Sequence, residues 1–290
     1  MLFSVIVPTC HRNDLLAQCL QRLAPKVQTL SADSYEVIVT DDGTRSNAET
    51  LLRTEFPWAR WTKGPGQGPA ANRNNGARLA RGEWLAFTDD DCLPEPGWLN
   101  AFADATQGDA GALEGAIHPL GDLNQDLVEC PVNLTGNCFW SANIAVQRSL
   151  FEEVGAFDAS YPAAAHEDQD LKLRLSQHTA IPFIANAIVH HPIRHVSFVA
   201  ALGRMPRQCA NYSVHVFKHR KSKEFSTLKT LFFRQLRFQI AFARACLREN
   251  KPLSGFLSLL SLVLLPYLCY RVFWSLPRQQ FLSNPSSSCK

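Results

Sequence analysis

Acidic residues are almost missing from the last third of this 290-residue chain. Residues 1–197 carry 14 Lys and Arg against 24 Asp and Glu; residues 198–252 carry 12 against 2, and residues 253–290 carry 3 against none. A net charge of +3 therefore conceals an acidic body joined to a basic tail, which suits two different partners. Paired cysteines are also lacking. The nine cysteines form no CxxC and no knuckle spacing, their number is odd, and a chain of this length needs no staples. Neither a zinc site nor a disulfide framework is expected. The start, MLFSVIVP, has no basic n-region and no long apolar run. It reads as a strand entering a fold rather than a secretory signal, so the expected setting is cytoplasmic. No internal repeat is visible. With 46% apolar and 19% charged residues, wholesale disorder is excluded and a sizeable core can be filled.

What is present follows an alternating pattern. Phe3–Val7, Tyr35–Thr40 and Trp84–Thr88 are short apolar runs of the kind buried on both faces of a parallel sheet. Helical spacing fills Asp14–Leu23, Ala48–Thr54 and Ala70–Ala80, and Gly64–Pro69 is too rich in Gly and Pro to be anything but a loop. Strand, helix, strand, helix, strand predicts an α/β fold whose ligands gather at the carboxyl ends of the strands. Asp41-Asp42-Gly43 and Asp89-Asp90-Asp91 fall at two such ends. Further on, the pattern predicts a strand over Gly136–Val146, short helices over Leu150–Val154 and Asp168–Ser176, and a strand over Ala187–Val189 ending in His190-His191-Pro192.

Three adjacent carboxylates repel one another, so Asp89–Asp91 either faces water or holds a hard cation. Asp-Gly at 42–43 is also an ordinary turn, and Glu167-Asp168 also suits the first turn of any helix. Read singly, each motif is ambiguous. In order, however, VIVPTCHR at 5–12, VIVTDDGT at 37–44, GPAANRNNGARLARGEWLAFTDDD at 68–91, FEEVGAFD at 151–158 and HEDQDLKLRL at 166–175 form a specific set. Together they resemble a family 2 glycosyltransferase of the GT-A fold, with a Rossmann-like, mostly parallel central sheet, over about residues 3–191.

The resemblance implies roles. Pro8, Thr9 and Arg12 match the first nucleotide loop, Asp41 the acid that bonds the base, Asp42 its neighbour nearer the ribose, and Arg73 an arginine near the nucleotide and its phosphates. Asp89 and Asp91 match the outer acids of a DxD motif with Asp90 between them. Asp91 would ligate Mg²⁺ or Mn²⁺, Asp89 would reach the ribose or a metal-bound water, and His190 would approach the metal or the diphosphate. Asp168 matches the catalytic base of an ED motif, with Glu167 beside it. The implied reaction is metal-dependent, inverting transfer of one sugar from a nucleotide-sugar, UDP-linked by expectation, to an acceptor hydroxyl. A carboxylate base and a Lewis-acidic cation are what such a displacement needs. Alternatives are a nucleotidyltransferase of similar build and a non-catalytic homologue binding sugar nucleotide or glycan.

Departures from the family pattern are His166, where Gly often precedes Glu-Asp, Asn72 in place of a small residue before Arg73, and the lack of a QxxRW segment after Asp168. The last favours single addition over polymerisation. His190, His191 and His195 could form a separate metal cluster, and Gly136–Cys138 near Trp140 suits either an acceptor wall or core packing.

Past residue 197 the chain reads as a helical, membrane-associating C-terminal region. Four segments are expected: a catalytic domain at 1–197, a basic helical region at 198–252, a hydrophobic segment at 253–276, and a flexible tail at 277–290. Leu253–Tyr270 has 18 residues without a charge, broken by Pro266, and basic residues precede it, as at an anionic membrane surface. Membrane attachment is favoured over two competing readings, a plain helical subdomain covering the catalytic domain and a nucleic-acid surface, in which the apolar segment has no place. A peripheral or single-span anchor on the cytoplasmic face would suit a glycan or lipid-linked acceptor.

Overall fold

The computed structural model describes residues 1–45, 48–161, 164–220 and 227–276; the tail expected at 277–290 lies outside the described residues. In chain order the strands are β1 (Phe3–Thr9), β2 (Tyr35–Asp41), β3 (Arg60–Lys63), β4 (Trp84–Phe87), β5 (Leu93–Pro94), β6 (Ala112–Leu120), β7 (Val128–Glu129), β8 (Ile144–Gln147), β9 (Phe183–Pro192) and β10 (Arg194–His195). The helices are α1 (Asn13–Leu23), α2 (Glu49–Glu55), α3 (Pro69–Arg78), α4 (Trp98–Ala105), α5 (Arg148–Glu153), α6 (Glu167–Leu175), α7 (Phe198–Lys218), α8 (Leu228–Arg248), α9 (Pro252–Ser261) and α10 (Leu265–Tyr270). The chain divides into two compact units. One comprises Met1–Gly121, Cys130–Ser160 and Glu167–Ile193; the other takes Asp122–Glu129, Tyr161–His166 and the chain from Arg194 onward. The first unit so divided ends at Ile193, and two earlier segments, Asp122–Glu129 and Tyr161–His166, fall in the second.

The first unit is built on an eight-stranded sheet in the order β3-β2-β1-β4-β8-β6-β9-β5. β1 pairs in parallel with β2 and β4, β2 with β3, and β6 with β9; β8 runs antiparallel to β4 and β6, and β5 to β9. The apolar runs alternate between two cores, because successive strand side chains point to opposite faces. Val5, Val7, Val37, Val39 and Ala86 pack with Leu16 and Leu20 of α1 and Trp98 and Phe102 of α4. Ile6, Ile38, Leu85 and Phe87 pack on the other face with Ala77 of α3, Phe151 of α5 and Leu171 of α6. Leu16, Leu20 and Phe102 are fully buried, each contributing about 1.5–3 kcal/mol of transfer free energy.

The strand expected over Gly136–Val146 is present only at Ile144–Gln147. Gly136, Asn137 and Phe139 take φ of 86°, 71° and 51°, in the left-handed region that no strand residue adopts. Ile144–Gln147 pairs with Ala112–Leu120, a strand that the sequence pattern did not show.

In the second unit, β7 and β10 pair antiparallel. α7 begins at Ser197, whose hydroxyl accepts from the Ala200 amide, and α8 begins with a capping box between Thr227 and Thr230. Asp126 accepts from the Leu253 and Ser254 amides at 2.7 and 2.9 Å, satisfying donors at the start of α9. Val216, Leu231, Leu265, Leu268 and Val272 form its core. Pro266, expected to break the apolar segment, instead sits in the first turn of α10 after a short 3₁₀ turn, where its missing N–H is harmless. Pro252–Ser275 thus forms one 24-residue helix of mean hydropathy 1.8, the one helix among the described residues long and apolar enough to cross a membrane. His166 has φ 71°, which explains why glycine is common at its position; its ring stacks on His215 with centroids 5.3 Å apart.

Candidate active site

Parallel pairing sets the site. Thr9 lies opposite Asp41 and Ile6 opposite Phe87, so β1, β2 and β4 deliver their last residues to one edge of the sheet. Asp89, Asp90 and Asp91 follow β4 there. Asp90 is fully buried and accepts from the Thr9 hydroxyl at 2.6 Å and from Arg12 Nε at 3.1 Å. Burial pushes its carboxyl up to about 7, against the opposing pull of Arg12 and the Thr9 hydroxyl. Arg12 Nη1 also donates to Asp91 at 3.0 Å. The first loop and the acidic triplet are thereby clamped together.

Asp89 turns the other way. It accepts from Arg73 Nη2 at 2.7 Å, and Arg73 Nη1 donates to Glu167 at 3.2 Å. Burial acts to raise the Asp89 carboxyl, but the Arg73 guanidinium outweighs it and holds the group below its usual range. Arg73 is buried, so one guanidinium joins two acidic motifs 78 positions apart. Asp168, next to Glu167 in the first turn of α6, is half-buried and accepts from the Gln169 amide at 2.7 Å and from the Ser141 amide. Burial, and then the neighbouring Glu167 charge, raise its carboxyl to about 7.

Asp41 is buried and spends both oxygens locally. Oδ1 accepts from the Gly43 amide at 2.7 Å, and Oδ2 from the Ala48 amide at 2.6 Å and the Trp61 indole at 3.4 Å. It shapes the loop after β2, while Asp42 accepts from the Gly66 amide at 2.8 Å. Pro8 stands in β1 opposite Thr40. Asn72 receives the Thr40 hydroxyl at 2.6 Å and donates to the Thr40 carbonyl at 2.9 Å, fastening α3 to the end of β2.

The two neighbouring histidines at the end of β9 reach different acids. His190 Nε2 lies 2.9 Å from Glu95, whereas His191 Nε2 lies 3.5 Å from Asp91 Oδ1. The cause is strand alternation: neighbours in β9 face opposite ways, and it is the buried His191 that faces the triplet. His195 belongs to the second unit, so the three histidines do not form one cluster in the first.

Asp91, Cys92 and His191 bring one ligand atom each within 4.8 Å of the others. Burial, with Asp89 and Asp91 nearby, pushes the Cys92 thiol well above its usual range, so it offers no thiolate. Of the other two, the Asp91 carboxylate is the donor that suits a hard cation such as Mg²⁺ or Mn²⁺, which takes its other ligands from oxygen atoms.

Glu114 escaped the sequence reading. Buried in β6, it accepts from the amides of Asn137, Cys138 at 3.1 Å and Phe139 at 2.7 Å, and from Asn133 Nδ2 at 3.3 Å. Gln169 and Lys172 of α6 donate to the Cys138 and Asn137 carbonyls, both at 2.6 Å. The 136–139 loop therefore forms one wall beside Asp168. A lone acid inside the apolar run ALEGAI was the available signal, since a buried carboxylate requires partners.

Residues 4–117 match the family described as Glycosyl transferase family 2. The validoxylamine A glucosyltransferase of Streptomyces hygroscopicus subsp. limoneus is 27% identical over 222 residues, covering 61% of this chain and 48% of that protein. The GalNAc(5)-diNAcBac-PP-undecaprenol beta-1,3-glucosyltransferase of Campylobacter jejuni is 32% identical over 137 residues, 46% of this chain and 40% of that one. The chain spans about half the length of the curated relatives it matches first. In fold it is similar to the mannosyltransferase PcManGT of Pyrobaculum calidifontis, solved with GDP-Man and Mn²⁺, with a TM-score of 0.57 at 17% identity over 98% of this chain and 79% of that one. The family match over residues 4–117 takes in β2, β3 and β4 and the acidic triplet after β4, so the likeness to glycosyl transferase family 2 rests on the part of the chain that carries those acids.

Proposed function

We propose that the protein transfers a single sugar, with inversion, from a nucleotide-sugar donor, UDP-linked by expectation, to the hydroxyl of a glycan or lipid-linked acceptor. The observation that carries this reading is the Asp89–Arg73–Glu167 bridge, which sets the acidic triplet and Asp168 on either side of one buried guanidinium. The mannosyltransferase of similar fold binds GDP-Man and Mn²⁺, and the Campylobacter relative is named for a lipid-diphosphate acceptor.

The residues divide the work. Thr9 and Arg12 hold Asp90 and Asp91 in place, and Asp91 would hold the cation. A bound Mg²⁺ or Mn²⁺ supplies a Lewis acid that offsets charge on the departing diphosphate. Asp42 and the loop shaped by Asp41 would receive the nucleoside, and Asp89 with Arg73 would face the ribose and phosphates. Asp168 takes the proton of the attacking hydroxyl. A carboxyl raised to about 7 suits this, since a general base works best near the operating pH and contributes roughly 10²–10⁴-fold. The 198–276 region would attach the enzyme to the cytoplasmic face of an anionic membrane, peripherally or by a single span.

Melting of the full chain with a panel of nucleotide-sugars, with and without Mn²⁺, tests the reading. One donor is expected to stabilise by about 2.7 kcal/mol at 100 times its dissociation constant, in a metal-dependent manner lost in Asp91→Ala. No stabilisation by any nucleotide would overturn it.

A further inference from the structure

We infer that one side of the 252–275 helix is a contact surface for an anionic bilayer, and that the helix lies along that surface instead of crossing it. This mode rests on the membrane attachment read above and not on sugar transfer. Phe256, Leu259, Val263, Tyr267, Tyr270 and Trp274 are each between 41% and 70% exposed. They recur at intervals of three or four residues, so they share one side of the helix. A continuous exposed apolar stripe marks a surface that another body covers.

The opposite side of the same helix is already used within the second unit. A Cβ on Gly255 would meet the Ala243 carbonyl of α8 at 3.3 Å, and the Ser258 hydroxyl donates to the Gln239 main-chain carbonyl at 3.1 Å. Further along, Leu265, Leu268 and Val272 are buried with Val216 of α7 and Leu231 of α8. Crossing the bilayer would break these contacts or draw α8 in with them. α8 carries Arg237, Arg244 and Arg248, all exposed and permanently charged, and hydrocarbon excludes such groups. Lying in the interface immerses the stripe and leaves the arginines in water.

Charge selects the occupant. The helix has no acid and one cation, Arg271, which donates to the Tyr267 hydroxyl at 3.3 Å beside the stripe. Residues 198–252 add 12 Lys and Arg against 2 acids. A second copy of this chain would bring like charges together, whereas anionic headgroups are complementary. Tyr267, Tyr270 and Trp274 are also the aromatic types that settle at headgroup level.

The test mixes the full chain with vesicles of phosphatidylcholine and phosphatidylglycerol brominated either near the headgroup or near the chain end. Val263 stands at the midpoint of the helix, so a crossing helix would put it at the bilayer centre and an in-plane helix at the depth of Trp274. Fluorescence is read for Trp274 by difference from Trp274→Phe, and for Val263→Trp in that background. Both tryptophans are expected to be quenched about twofold more by shallow bromine than by deep bromine. Phe256→Asp and Val263→Asp, at exposed positions, should each lower vesicle binding roughly tenfold. Leu79→Asp, at a 40% exposed site in the first unit, should leave it unchanged. Melting like the parent's without lipid shows that each variant is folded. Stronger deep quenching at position 263, unchanged binding by both stripe variants, or a dimer that they dissociate while vesicle binding persists would overturn the stripe and leave membrane attachment standing. No binding of the parent to any vesicle would sink attachment itself, and the stripe with it.

Discussion

Asp168 carries opposing demands. Burial and the Glu167 charge raise its carboxyl to about 7, above the value of about 3.9 for an unfolded aspartate. A raised acid binds its proton more tightly in the folded chain than in the unfolded one. Its contribution to stability is therefore full below about pH 4 and is lost as pH rises toward 7. Over the upper part of that interval the ionised base accumulates, so transfer should increase through pH 7 as stability declines. Asp168→Asn is expected to abolish transfer, spare donor binding, melt like the parent at or below about pH 4 and melt higher than the parent at pH 8. Melting curves and a pH–rate profile check this; equal melting of the two proteins at pH 8 would show that Asp168 is not held against its charge. Arg73 illustrates a different limit. The family resemblance implies a place near the phosphates, but its bond to Glu167 depends on where α6 docks, which nothing local to residue 73 encodes.

At the scale of elements, one carboxylate replaces a strand. The residues 136–139 cannot join the sheet while three of them hold positive φ, and Glu114 neutralises their exposed amides by accepting from three in succession. Glu114→Gln substitutes an NH₂ for one of the accepting oxygens and sets donor against donor. The expected cost is about 1–3 kcal/mol of stability, together with a fall in transfer rate as the Ser141 amide loses its place on Asp168, while donor binding is kept. Urea unfolding and a donor titration separate the two effects; an unchanged rate in a destabilised variant would limit Glu114 to a structural role. The first strands were legible because each is an apolar run closed by Pro8, Asp41 or Asp89, and the helices between them because of their spacing. Arg60–Lys63, Leu93–Pro94 and Ala112–Leu120 were not, since the first two are short and partly exposed and the third carries an acid in its middle.

For the whole molecule, the division of charge seen in the sequence coincides with a division of surface. Most of the large exposed apolar side chains fall between residues 199 and 274, the region that also carries the excess of Lys and Arg. Basic groups near an anionic surface contribute about 1 kcal/mol each and are screened by salt, whereas buried apolar groups are not. The full chain is therefore expected to float with vesicles containing anionic lipid at least tenfold more readily than with neutral ones. Half-molar salt should reduce that binding without abolishing it. Equal flotation with neutral vesicles would show that charge takes no part.

The sequence by itself determined the alternation of strand and helix, the acidic clusters at strand ends and the reversal of charge past residue 197, because each is a property of neighbours along the chain. The tertiary structure alone decided which histidine faces Asp91, that Arg73 joins Asp89 to Glu167, and that Glu114 supports a loop beside Asp168. Those contacts join residues far apart in sequence, and their geometry depends on strand register and helix docking, where a shift of one residue turns a side chain to the opposite face.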